Sequence, residues 1–167
     1  MGAGKTSVGQ ALAKLLRWSF VDLDQEIELQ QEATIREIFQ RHGESRFREI
    51  ETAALRAMLE QVSAPTVIAL GGGTFIRPCN VDLLRSSGAR VVFLETLIEE
   101  MLERCRTGPQ SFDDNLRPLA SDPDAFRELY AQRLPQYRRA DLTVSTAGKT
   151  AEENARGVAV GLRLAAG

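Results

Sequence analysis

The chain has 167 residues, 43% of them hydrophobic, which is the size and composition of a single globular domain with a sizeable core. Its 21 basic and 23 acidic residues leave a net charge of −2, so no electrostatic argument favours nucleic acid or an anionic membrane as the main partner, and no apolar run predicts a membrane span. The two cysteines, Cys79 and Cys105, lack metal-ligand or redox-motif spacing, and they are interpreted as reduced thiols of a cytoplasmic protein.

The first predicted element is a glycine-rich turn that leads into a helix. Gly4-Lys5-Thr6 is the end of a phosphate-binding loop, in which backbone N–H groups approach a polyphosphate, the lysine adds positive charge and the threonine hydroxyl can hold Mg²⁺. Apolar residues recur at helical spacing from Val8 to Leu16, so the positive end of this helix faces the same anion. Binding of ATP or GTP is therefore predicted for the loop residues Gly2, Ala3, Gly4, Lys5, Thr6 and Ser7.

The phosphate-binding motif is incomplete at its amino side. Its full pattern is Gly, four residues, Gly-Lys-Ser/Thr, and here the first glycine falls upstream of Met1. The strand that normally delivers such a loop falls upstream as well. A start codon assigned too far downstream is one hypothesis, which an in-frame upstream apolar strand and glycine would support.

Apolar runs alternate with amphipathic runs along the rest of the chain. Strands are predicted at 19–24, 66–70, 90–94 and 142–144. Helices are predicted at about 26–31, 34–43, 44–62, 78–84, 96–105 and 122–139, and from 150 onwards. This alternation predicts a three-layer α/β/α fold, with a central parallel sheet that lacks its first strand. Residues 1–167 are interpreted as one domain, in which the polar segment at about 107–120 forms a lid.

Local capping signals set several helix starts and stops. The pairs Thr34 with Glu37, Thr96 with Glu99 and Thr150 with Glu153 have capping-box spacing. Glycine at position 43 predicts a helix end there, and proline at position 78 fits a first helical position.

Acids and glycines follow two of the predicted strands, at the edge where parallel sheets bind ligands. Asp22 and Asp24 end the first of these strands. One carboxylate at this place can reach Mg²⁺, and another can accept a proton from a substrate hydroxyl. The alternative is that one of them caps the next helix. Gly71-Gly72-Gly73 costs conformational entropy, which predicts close approach of the backbone to a ligand.

Three arginines are candidates for anion binding. Arg48 and Arg133 could converge on a substrate carboxylate, because a guanidinium fork matches that group. The alternative for Arg48 is a solvated helix arginine paired with Glu44 or Glu51. Arg117, in the polar segment, could close over a phosphoryl group and exclude water.

Taken in order, these motifs resemble the shikimate kinase family, small P-loop kinases related to the nucleoside monophosphate kinases. The resemblance covers almost the whole chain. It rests on the Gly-Ala-Gly-Lys-Thr loop, Asp22-Leu23-Asp24, Ile38-Phe39, Gly43-Glu44, Phe47-Arg48, Glu51, the triple glycine, Arg117-Pro118-Leu119, Arg133 and Tyr137-Arg138. It implies a P-loop kinase fold and ATP-dependent phosphorylation of the 3-hydroxyl of shikimate, which gives shikimate 3-phosphate and ADP in aromatic amino acid biosynthesis.

The resemblance also implies roles for individual residues. Lys5 and Arg117 would act on the transferring phosphoryl group, and Asp24 would bind shikimate and orient its hydroxyl. Thr6 and Asp22 would hold Mg²⁺ with ATP, and Arg104 would stack on adenine. The remaining substrate contacts would come from Phe39, Arg48, Gly71, Gly72, Gly73 and Arg133.

The chain departs from the family pattern in the lid, which is longer than usual and carries Asp113 and Asp114. Two alternatives stay open from the sequence. One is a kinase for another small hydroxy acid such as gluconate, or for a nucleotide. The other is a non-catalytic nucleotide-binding module derived from such a kinase. A cytoplasmic monomer is expected in each case.

Overall fold

The computed structural model of the protein describes residues 3–107 and 122–165, with the backbone alone at 105–107. Helices and strands alternate along it, as the sequence predicts. The helices are α1 (Lys5–Leu16), α2 (Leu23–Gln31), α3 (Ile35–Gln61), α4 (Pro78–Ser86), α5 (Ile98–Thr107), α6 (Pro123–Tyr137) and α7 (Ala151–Gly161). The strands are β1 (Ser19–Asp22), β2 (Thr66–Ala69), β3 (Val92–Glu95) and β4 (Leu142–Ser145), and a short 3₁₀ turn covers Thr74–Ile76.

Two of the three predicted capping boxes are confirmed. Thr34 and Thr150 each accept a hydrogen bond from the backbone of a glutamate three residues on, and that glutamate accepts from the threonine backbone in return. These backbone hydrogen bonds, followed by those of the threonine hydroxyls, lower the pKa of Glu37 and of Glu153. The box predicted at Thr96 is wrong, because its hydroxyl is buried in a hydrogen bond with Thr146 Oγ1 at 2.7 Å and the helix begins at Ile98.

Helix α3 consists of two helical segments joined at a glycine. Gly43 has φ 75° and ψ 174°, a left-handed backbone that glycine adopts without strain. The two segments correspond to the two helices predicted on either side of this residue. The first carries Phe39 and the second carries Arg48, so the bend decides how these two side chains face each other.

The strands pair in parallel as two separate halves of a sheet. β1 pairs with β2, aligning Asp22 with Ala69, and β3 pairs with β4, aligning Glu95 with Ser145. The strand predicted at 19–24 is shorter than expected, because α2 begins at Leu23 and Asp22 accepts the backbone N–H of Asp24 as its N-cap. The alternative that one of the two aspartates caps this helix is therefore correct for Asp22.

An apolar cleft of about 510 Å³ separates the two halves. Consecutive residues 66–70 and 91–94 line the cleft. Because successive side chains of a strand point to opposite faces, a lining of consecutive residues means that the hydrogen-bonding edges of β2 and β3 face the cleft. Of the described residues, none from β1 or β4 lines it. Ala3 and Lys5 lie at its wall, so the turn that leads into α1 borders the cleft.

Three apolar clusters pack around the half-sheets. Helices α2, α3 and α4 share the largest, which contains the fully buried Leu23, Ile27 and Leu55. Helices α5 and α6 form the second around Phe126, and α1 packs on α7 in the third. Ala3 belongs to the second cluster, so the core fixes the start of the phosphate-binding turn. Among the described helices, none is long and apolar enough to cross a membrane.

A parallel strand added in the cleft should stabilise the fold. The added segment would be five apolar, mostly β-branched residues followed by Gly-Ser, joined to Met1, so that the glycine completes the spacing of the loop. A net gain of about 2 kcal/mol raises Tm by about 4–8 °C in a chain of this length. Thermal unfolding of both forms measures it. An extension of equal length with a central proline and aspartate is the control, and an equal rise with it would contradict the prediction.

Candidate active site

The phosphate side of the site is the turn between Ala3 and α1. Gly4 has φ 75°, a left-handed conformation, and no side chain caps the first turn of the helix. The backbone N–H groups of this turn are therefore presented together with the positive end of the helix, as an anion requires. Lys5 is half-buried at the edge of the cleft, while Ser7 is exposed.

Thr6 and Asp22 form the polar link between α1 and β1. Thr6 Oγ1 donates to Asp22 Oδ2 at 2.8 Å, while Asp22 Oδ1 caps α2. A hydroxyl and a carboxylate at this spacing are two oxygen ligands of the kind that Mg²⁺ takes, with phosphate oxygens and water completing its shell. In the part of the chain that the structure describes, no group of three or more His, Cys, Asp or Glu could hold a metal unaided. The pair fits a metal that arrives with a phosphate ligand.

Arg104 of α5 reaches the same turn. A Cβ atom built on Gly4 would lie 3.9 Å from Arg104 Nη1, and Arg104 Nη2 donates to Glu100 at 3.1 Å. The guanidinium therefore lies beside the phosphate-binding turn, although it is 99 positions from Lys5 in the chain. The predicted stacking of Arg104 on adenine stays a prediction.

The acceptor side is built around the triple glycine that follows β2. The ladder of β1 and β2 ends with Asp22 opposite Ala69, and Asp24 and Gly71 each follow two residues later in the chain. A Cβ atom on Gly71 would lie 2.9 Å from Asp24 Oδ1 and 3.1 Å from both Glu51 Oε1 and Thr74 Oγ1. A side chain at this position would displace the Asp24 carboxylate and crowd Glu51 and Thr74, so the glycine allows the two carboxylates to approach.

Arg48 occupies the equivalent place at Gly73. A Cβ atom on Gly73 would lie 2.5 Å from Arg48 Nη1 and 2.7 Å from its Cζ. Arg48 pairs with the buried Glu51 at 3.1 Å and with the exposed Glu44 at 3.4 Å. Both ion pairs of the alternative interpretation are therefore present, but the Arg48 side chain is only 19% exposed and is not fully solvated.

Aromatic rings support the Arg48 guanidinium. The Phe39 and Phe47 rings pack at 4.4 Å between centroids, and Arg48 Cζ lies 5.1 Å from the centroid of Phe47. This distance is within cation–π range. The structure thus brings Phe39, Arg48 and the triple glycine together, with Asp24 beside them.

Comparison with known proteins agrees with this geometry. The shikimate kinase family model matches residues 1–160. The shikimate kinase of Geobacter sulfurreducens is 43% identical over 156 residues, which are 92% of this chain and 81% of that protein. That of Moorella thermoacetica is 39% identical over 165 residues, 98% of this chain and 90% of that protein.

The chain belongs to the shikimate kinase family. Solved structures of family members share its fold. Shikimate kinase from Acinetobacter baumannii, in complex with shikimate, matches with a TM-score of 0.86 at 36% identity, covering 98% of this chain and 88% of that one. The Bacteroides thetaiotaomicron enzyme gives a TM-score of 0.87 at 28% identity, covering 98% and 94%. The predicted P-loop kinase fold is confirmed.

The remaining predicted residues of the shikimate kinase site divide into two groups. Arg133 is half-buried on α6, a helix that packs against the 3₁₀ turn directly after the glycines. Gly2, Arg117 and most of the predicted lid at 107–120 lie outside the described residues.

Three further residues hold the site together and were not among its predicted members. Glu51 is fully buried, and it accepts from Thr74 Oγ1 at 2.7 Å as well as from Arg48. Arg77 donates to the backbone carbonyl of Arg48 at 2.6 Å. The sequence did single out Glu51, as a motif residue and a possible partner of Arg48, but gave it no place in the site. Thr74 and Arg77 give no such signal.

Removing the charge of Glu51 should destabilise this family member. Glu51→Gln keeps the shape and can still accept from Thr74, but it leaves Arg48 without its buried partner. We expect a loss of about 1.5–3 kcal/mol, the range for a hydrogen bond to a charged group, and a Tm lower by about 3–12 °C. Glu49→Gln is the matched control, because Glu49 pairs with Arg46 on the exposed face of the same helix. Equal Tm changes in the two variants would refute the assignment of Glu51.

Proposed function

We propose that this chain transfers the γ-phosphoryl group of ATP to the 3-hydroxyl of shikimate, giving shikimate 3-phosphate and ADP in aromatic amino acid biosynthesis. The observation that carries the proposal is the placement of Arg48 against Gly73 with Asp24 against Gly71. One loop is thus flanked by Arg48, a cation that can bind a substrate carboxylate, and by Asp24, an acid that can bind a substrate hydroxyl. The Acinetobacter baumannii relative, solved with shikimate, supports the same acceptor.

The ATP half of the proposed site is the turn at the start of α1. Backbone N–H groups of Ala3 to Ser7 and the helix end bind the phosphates, and Lys5 offsets charge on the transferring group. Arg104, beside Gly4, is placed to contact the nucleotide. Arg117 closes over the phosphoryl group in this proposal, a role taken from the sequence resemblance.

Thr6 and Asp22 hold the magnesium ion that accompanies ATP in this proposal. Their hydroxyl and carboxylate are 2.8 Å apart, which suits a shared ion or a water-mediated contact. When bound, the ion neutralises developing charge on the phosphate oxygens. Asp22 is held in place for this role because its other oxygen caps α2.

The acceptor half orients one hydroxyl of the substrate. Asp24 accepts the hydrogen bond of the attacking hydroxyl and takes its proton as the phosphorus–oxygen bond forms. Arg48 and Arg133 bind the substrate carboxylate, with Gly71–Gly73 as the backbone wall and Phe39 as the apolar one. Positioning of this kind supplies most of the rate enhancement in phosphoryl transfer, because it fixes the attacking oxygen in line.

The proposed enzyme is a cytoplasmic monomer with a single kinase domain. The exposed free thiol of Cys79 supports a reducing compartment. Size-exclusion chromatography with light scattering measures the monomer directly.

Removal of the Arg48 guanidinium should weaken the binding of the acceptor and leave the binding of ATP unchanged. Arg48→Ala should raise KM for shikimate about 10- to 100-fold, because it removes charge-assisted hydrogen bonds worth about 1.5–3 kcal/mol. KM for ATP should change less than about twofold, since Arg48 lies on the acceptor side. Initial rates with each substrate varied in turn measure both constants.

Arg46→Ala is the matched control for this variant. Arg46 lies two residues away on α3, in an exposed pair with Glu49. Turnover of the unaltered chain with gluconate and with nucleoside monophosphates as acceptors is measured in parallel with turnover of shikimate. Unchanged KM for shikimate in Arg48→Ala, or faster turnover of another acceptor by the unaltered chain, would refute the proposal.

Loss of the Asp22 carboxylate should make the reaction more dependent on magnesium. Asp22→Asn keeps the size of the side chain but removes its charge. The free Mg²⁺ concentration at half-maximal rate should rise at least about tenfold, because removal of even a supporting group of a metal site costs about 10- to 100-fold in affinity. Titration calorimetry of ADP with and without Mg²⁺ tests the same point without turnover. Asp82→Asn, at an exposed position of α4, is the control. A normal Mg²⁺ requirement in Asp22→Asn would exclude Asp22 as a ligand.

A further inference from the structure

Tyr137, the last residue of α6, joins that helix to the triple glycine. Its hydroxyl donates to the carbonyl oxygen of Gly72 at 2.5 Å. Its ring stacks on Phe93 of β3, with centroids 5.3 Å apart and planes 26° apart. The hydroxyl is therefore held at a fixed point by packing, and the glycine carbonyl is held by the hydroxyl.

The carbonyl of Gly72 and the N–H of Gly73 belong to one peptide group. That peptide is trans, so its C=O and N–H point in opposite directions. Between two glycines a peptide plane turns easily, because neither residue has a Cβ to oppose rotation. A hydrogen bond to the carbonyl therefore also sets the direction of the Gly73 N–H, which points away from Tyr137.

Gly73 is the residue against which Arg48 packs. The guanidinium of Arg48 fills the space that a Cβ of Gly73 would take. A rotation of the Gly72–Gly73 peptide would therefore move the backbone surface against which Arg48 packs. Tyr137 also lies four residues after Arg133, which places both side chains on one face of α6. One hydrogen bond thus connects the element that carries Arg133 with the loop that supports Arg48.

We propose that Tyr137 is a positioning residue for the acid-binding half of the site. It acts through the Gly72 carbonyl, which aims the Gly73 N–H and keeps Arg48 and Arg133 at the separation that one carboxylate needs. The proposal rests on the proposed function, because it concerns the binding of shikimate. The neighbouring Arg138 also links α6 to the sheet, through Glu95 at 3.2 Å, but that pair is exposed and contributes little.

Tyr137→Phe tests this role, because it removes the hydroxyl and keeps the stacked ring. KM for shikimate should rise about fivefold, the effect of one net hydrogen bond. KM for ATP should stay within about twofold, and Tm within about 4 °C. Tyr130→Phe is the matched control, because Tyr130 lies two turns earlier on the same helix with its ring 6.5 Å from that of Tyr137. Its KM values should stay within about twofold of those of the unaltered chain.

A readout that needs no turnover accompanies the kinetics. In ¹H–¹⁵N spectra, the amide resonance of Gly73 should shift or broaden in Tyr137→Phe and stay in place in Tyr130→Phe. An unmoved Gly73 resonance, an unchanged KM for shikimate, or an equal rise of both KM values with a large fall in Tm would each overturn the positioning role. A chain without shikimate-dependent turnover that still shows the Gly73 shift would count against the proposed function alone.

Discussion

The site depends on the presence of glycine, which has no side chain, at positions 71 to 73. At Gly71 the vacated space is shared by Asp24, Glu51 and Thr74, and at Gly73 it is filled by Arg48. Between them, the Gly72 carbonyl accepts the Tyr137 hydroxyl. Helices α2, α3 and α6 therefore meet at three consecutive residues of one loop. A Cβ at Gly71 would displace the Asp24 carboxylate, and one at Gly73 would displace the Arg48 guanidinium.

The junction of β1 and α2 places one acid in each half of the site. Asp22 is bonded to Thr6 at the phosphate turn, while Asp24 follows one helical residue later and lies against Gly71. The cap that Asp22 makes with the Asp24 backbone sets the angle between them. A single local turn thus fixes the distance between the ATP half and the acceptor half, and that distance decides whether the transfer is in line.

Local signals in the sequence predicted most helices and the break at Gly43, and they supplied the residues that the proposed function uses. Periodicity and capping depend on neighbours within a turn, so they are readable without the fold. The supporting contacts were not readable. Thr74 meets Glu51 across 23 positions and Tyr137 meets Gly72 across 65, and no pattern encodes such pairs. The Thr96 box failed for the same reason, since Thr146 lies 50 positions away.

The cleft between the half-sheets also affects how the protein behaves as its concentration rises. In a parallel ladder, alternate N–H and C=O groups of β2 and β3 point to the side on which the described part of the chain places no second strand. Those groups form hydrogen bonds either to water or to a strand of another molecule. Pairing with another molecule becomes more favourable as the protein concentration rises. Strands of four residues give such pairing little length. The open strand edges therefore affect the colloidal stability of the protein more than they affect the chemistry of its site.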